Sequence, residues 1–165
     1  MDCSGLLLSR SSEARPDSVP HMIRTIVVGT DGSKTAAKAV HEAIELAQRL
    51  GAKLHVVSAY RPLSGVRVSG PDYERAHVAV GPTVEVDATL AAAVGEAHAA
   101  GVEAEYYARK SDPAEAILDV ADELQADLIV IGNKGMHGTR RYLLGSVPDK
   151  ISHHAGCSVL IVRTD

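Results

Sequence analysis

The stretch VIGNKGMHGTRRYLLGSV, Val130 to Val147, gathers the residue types that could hold an anion: glycines at Gly132, Gly135, Gly138 and Gly145, cations at Lys134, Arg140 and Arg141, and a hydroxyl at Ser146. Glycine lets backbone N–H groups approach a phosphate with no side chain in between, and a helix that follows adds the partial positive charge of its N-terminus. Ser146 stands where such a helix would start. Its hydroxyl and the N–H groups of Ser146 and Val147 could then all meet a phosphate oxygen. A purely structural reading stands beside this one: Ser146 with Asp149 three residues on resembles a capping box, and Pro148 suits a first helical turn. The three cations could equally form a solvated face.

Asp31, in the segment GTDGS, is the second candidate. A carboxylate just past a strand end can accept from ribose hydroxyls or an adenine amino group, or it can cap the helix that follows, a task for which Ser33 competes. Other chemistries lack their residues. There is no GxxxxGK[ST] loop to place a lysine and a magnesium-binding hydroxyl, no GxGxxG turn after the first apolar run, and no GxSxG elbow. Phosphoacceptor receivers need an acidic pair after strand one and an acceptor Asp after strand three, where this chain offers Asp31 and RKSD. No convergent acid, base and nucleophile emerge. The two cysteines, Cys3 and Cys157, are far apart and lack zinc-ligand spacing, so Cys157 reads as a small buried residue. His153 and His154 point about 100° apart on a helix and read as surface.

These residues must be positioned by a chain of 165 residues, enough for one domain that buries about 70% of its unfolded surface. Its core has to be aliphatic, since Phe and Trp are absent and Tyr occurs five times. A net charge of -4 with scattered Lys and Arg argues against a nucleic-acid partner. No segment reaches the length of a membrane span, and the three leucines near the start are too few for a signal peptide, so a soluble, cytoplasmic protein is expected. Residues 1–21 read as a disordered arm before a domain spanning 22–165, and Met22 is a possible alternative start.

Short β-branched runs alternate with segments of helical period. Strands are expected at Thr25–Thr30, Lys53–Tyr60, Val102–Ala108, Asp127–Gly132 and Ser158–Thr164. The first helix should bury Ala36, Ala39, Val40, Ala43, Ile44, Ala47 and Leu50 and stop at Gly51. The second should span Thr83–Ala100, the third should start at Asp112 and Pro113, and the fourth should run Ser146–His154. Residues 61–82 read as a long mobile loop that could cover a ligand. The alternation predicts an α/β fold, a doubly wound five-stranded parallel sheet of order 3-2-1-4-5, with strand three near an edge and strand four, the most apolar, at the centre. Ligands of such sheets bind at the switch point, beyond the C-terminal ends of strands one and four. GTDGS and GNKGMHG should meet there.

From Ile23 to Arg163 the chain resembles the universal stress proteins. The resemblance rests on IVVGTDGS, ADLIVIGNKG and LLGSVPDKISHHAGCSVLIV, and on the motif G-x2-G-x9-G-[ST], matched by Gly132, Gly135, Gly145 and Ser146. It implies a Rossmann-like fold of the adenine nucleotide alpha hydrolase type. For the ATP-binding branch it implies adenine near Asp31 and strand two, with phosphates over the glycine loop. Thr30 and Asp31 match the strand-one contacts, Ala59 the adenine-side position and Val147 the residue after the hydroxyl. The resemblance also implies ATP, with or without Mg, as ligand, cyclic AMP as the alternative, and a homodimer formed through the last strand, 158–164. A stress-response regulator with slow or no hydrolysis is the expectation. A nucleotide-cleaving enzyme and a protein-binding scaffold with an empty pocket are the competing ones.

Overall fold

The computed structural model describes residues 22–60, 84–134 and 144–164. In chain order these form β1 (Thr25–Gly29), α1 (Lys34–Leu50), β2 (Lys53–Ala59), α2 (Val84–Ala99), β3 (Ala104–Arg109), α3 (Pro113–Glu123), β4 (Leu128–Gly132), α4 (Ser146–His154) and β5 (Ser158–Val162). All neighbouring strands pair in parallel, in the order β3-β2-β1-β4-β5. β1 occupies the centre, with the more apolar β4 beside it. β3 and β5 are the two edges.

The pattern of apolar residues explains the layering. A central parallel strand is covered on both faces, and Ile26, Val27 and Val28 of β1 are fully buried. Ile26 and Val28 point to one side, where Val40, Ala43 and Ile44 of α1 and Leu90 of α2 pack with Leu54 and Val56. Val27 points to the other, toward Ile117 and Val120 of α3 and Ile151 of α4. Both layers are aliphatic. Alanines on the buried faces of α1 and α3 allow these helices to lie close to the sheet without aromatic filling.

Caps set the helix starts. Ser33 caps α1 by accepting from Ala36 N at 3.1 Å, and the helix ends at Gly51. Six of the residues expected on its buried face are buried, whereas Leu50, in the last turn, is 46% exposed. Asp112 caps α3 through Ala114 N at 3.2 Å, with Pro113 as the first helical residue. β1, β2 and β5 end slightly earlier than the apolar runs suggest, β4 ends at Gly132 as expected, and β3 is shifted later, ending at Arg109. Thr30, Tyr60 and Thr164 lie just past their strands, and β3 starts at Ala104 rather than Val102. The loop at 61–82 and the arm at 1–21 lie outside the described residues.

Candidate functional site

Because every strand is parallel, the loops after β1 and β4 emerge on the same end of the sheet, side by side where the winding reverses. The turn after β1 is organised by its own side chains. Thr30 N donates to Val57 O at 2.9 Å, Thr30 Oγ1 accepts from Gly32 N at 3.2 Å, and Asp31 Oδ1 accepts from Ser33 N at 3.0 Å. Gly32 takes a positive φ of 76°, which allows this tight reversal. Ser33, not Asp31, is therefore the cap of α1. Asp31 is exposed at the rim.

On the other side β4 ends at Gly132, and α4 is capped by Gly145, which supplies no side-chain hydrogen bond. Ser146 is thus the first helical residue, as the sequence placed it, and the capping box of the alternative reading does not form. Asp149 N, donating to Gly145 O at 3.1 Å, makes the first turn's closing bond. Ser146 and Val147 precede it, at positions whose N–H groups have no acceptor within a helix. Pro148, third in the helix, has no N–H to satisfy and is buried.

Between these two loops lies a cavity of about 470 Å³. Thr30, Asp31, Ala59, Gly132, Gly145, Ser146 and Val147 all line it. Gly135 lies outside the described residues, as do Gly138, Arg140 and Arg141. The sequence reading missed the walls: Val57 from β2, Pro113 and Ile117 from α3, Ile131 from β4, Ala36 from α1 and Pro148. Their only signal was apolarity, which a buried core residue shares. Among the described lining residues the titratable side chains are Asp31 and Lys134. The arrangement is a pocket with an apolar interior, a carboxylate on one rim, and a cation, a hydroxyl and a helix N-terminus on the other. Such a site suits a flat ring system carrying hydroxyls and an anionic tail. A more open groove of about 710 Å³ runs along α1 and β5, and none of the expected site residues lines it.

Cys157 is half-buried rather than buried, and burial together with Asp122 and Asp127 raises its thiol pKa. That shift opposes nucleophilic use. His153 and His154 are both exposed.

The model of the universal stress protein family matches residues 22–163. The chain belongs to the universal stress protein family. Universal stress protein Rv1636 of Mycobacterium tuberculosis is 37% identical over 142 residues, 86% of this chain and 97% of that protein. A universal stress protein solved in complex with cAMP is 34% identical, covers 87% of this chain and 99% of its own, and superposes with a TM-score of 0.67. Another, from Archaeoglobus fulgidus and in complex with dAMP, is 27% identical with a TM-score of 0.59, covering 85% and 98% of the two chains.

Proposed function

We propose that this universal stress protein binds an adenine nucleotide in the cavity between β1 and β4, with ATP as its ligand and slow or no hydrolysis, and acts as a regulator. The observation that carries the reading is the convergence of Thr30, Asp31, Ala59, Gly132, Gly145, Ser146 and Val147 on one cavity at the sheet's switch point. The base would lie against Ala59, Val57 and Ile117. Ribose hydroxyls would donate to Asp31, and the phosphates would meet the first turn of α4 and Gly132. The two relatives in complex with cAMP and dAMP support the adenine preference. Magnesium would be held chiefly by the phosphates of ATP, as that ion usually is in nucleotide sites.

Cyclic AMP is the second reading, favoured by the relative crystallised with it. Calorimetric titration with ATP, with and without magnesium, and separately with cyclic AMP and GTP tests both. ATP binding without comparable GTP binding supports the first reading, and tighter binding of cyclic AMP supports the second. No heat with either adenine nucleotide overturns both. Among the described residues no helix is long and apolar enough to cross a membrane. The proposed assembly is a homodimer through β5, whose Val159, Leu160, Ile161 and Val162 are only partly buried along an edge that pairs with β4 alone among the described residues.

A further inference from the structure

The end of β5 does not run off into solvent. Thr164 is 2% exposed and donates both its backbone N–H and its hydroxyl to Asn133 Oδ1, at 2.9 and 2.7 Å. Its carbonyl accepts from Lys38 Nζ of α1 at 2.7 Å. The backbone of Asn133 continues the connection: its N–H donates to Val162 O at 2.9 Å, and its carbonyl accepts from Gly145 N at 3.1 Å. One residue therefore ties the end of β5 to the cap of α4. Its chain neighbours Gly132 and Lys134 line the cavity, as do Gly145 and Ser146 beyond its carbonyl. Thr164 also backs the loop, since its Cγ2 lies 3.2 Å from where a Cβ on Gly132 would stand.

We infer that Asn133 and Thr164 are positioning residues for the anion-binding half of the cavity. Neither lines it. Their hydrogen bonds fix the end of β4 against the first turn of α4, and that spacing decides whether the Ser146 and Val147 N–H groups aim at one phosphate. A hydrogen bond weakens steeply once its angle is lost, so a small tilt of α4 would cost affinity for the phosphate without altering the apolar interior that holds the base. The inference rests on the adenine-nucleotide reading given above. General structural damage would lower affinity for the nucleoside and the nucleotide together; loss of aim lowers it for the nucleotide alone.

The test is calorimetry with ATP and with adenosine, on the wild type and on Asn133→Ala, Thr164→Val and Thr164→Ser. Asn133→Ala should weaken ATP about tenfold or more and adenosine by less than about twofold, following the strength of charge-assisted hydrogen bonds. Thr164→Val, which keeps the methyl and loses the donor, should weaken ATP by a smaller factor, and Thr164→Ser should restore it. Thermal melts check that each variant is folded. If Asn133→Ala does not fold, the Val and Ser pair at Thr164 carries the test. Equal losses for ATP and adenosine, or no loss for either, would overturn the inference while leaving the nucleotide reading intact. A wild type that binds neither compound overturns the nucleotide reading and this inference with it.

Discussion

Gly145 caps α4 with a φ of -66°, and a Cβ there would find its nearest neighbour, Pro148 Cδ, at 3.5 Å. A side chain is therefore sterically acceptable, and aspartate at a helix cap is stabilising. Yet its carboxylate would occupy the place proposed for a phosphate. Gly145→Asp should melt at or above the wild-type temperature and bind ATP more weakly by a factor of about ten or more, the scale of one like charge in a site; unaltered ATP affinity would favour the scaffold with an empty pocket. His55 makes a second prediction. It is 4% exposed, its Nδ1 has no hydrogen-bond partner, and Glu105 Oε2 stands 3.8 Å away. Burial, then Lys53, lowers its pKa from the ordinary 6.5, more than Glu105 and Glu103 raise it. The folded state consequently binds fewer protons than the unfolded one, and this part of the stability is complete above pH 6.5 and declines as pH falls toward the lower folded value. The Tyr107 ring packs against His55, their centroids 5.7 Å apart and tilted by 47°, and Arg109 lies over the Tyr107 ring at 5.5 Å. Urea midpoints taken from pH 7.5 down to about pH 5 should fall more for the wild type than for His55→Leu, the interval lying below the ordinary histidine pKa; parallel declines would contradict the assignment.

At the scale of elements, α3 does more than cover the sheet. Its Ile117 lies over the end of β1, so that a Cβ on Gly29 would stand 2.3 Å from Ile117 Cδ1. The same side chain walls the cavity. Gly29→Val should overpack this junction and destabilise the protein by about 1–3 kcal/mol, measured by urea unfolding, and Ile117→Ala in the same chain should relieve part of that loss. The start of α3 was legible in the sequence, because Asp112 and Pro113 are local signals that need no neighbour. The contact of Ile117 with Gly29 was not, because it joins residues far apart through a crossing that hydrophobic period alone leaves undetermined. The choice between Ser33 and Asp31 as cap of α1 was likewise open in sequence, since either side chain can accept a backbone N–H, and the geometry of the β1 turn decides it. For α4 the expected start at Ser146 holds, and of the two readings open at that start the capping box is the one that fails, because Gly145, with no side chain, takes the cap.

For the molecule as a whole, alternating elements and right-handed crossovers pointed to a doubly wound parallel sheet. The order 3-2-1-4-5 expected of it is the one observed, although crossover hand alone would also permit other doubly wound orders. The centre of the sheet did not follow from apolarity. β4 is the more apolar strand, but the winding reverses at β1 and places it in the middle. The Asn133–Thr164 clasp was equally invisible, being a hydrogen bond between residues 31 apart in sequence. β5 closes one edge with partly buried aliphatic residues on both faces, Leu160 toward α1 and Ile161 toward α4. Paired with a second β5, that edge would be covered, and Ile161→Lys should shift the protein from dimer to monomer in sedimentation; a wild type that is itself monomeric would contradict the proposed assembly. The most direct test of the central claim is mass spectrometry of whatever small molecule leaves freshly purified protein on denaturation. Release of ATP or another adenine nucleotide, in near-stoichiometric amount and absent from Gly145→Asp, is the predicted result. Protein that releases no nucleotide, and takes up none when ATP is supplied in excess, would contradict it.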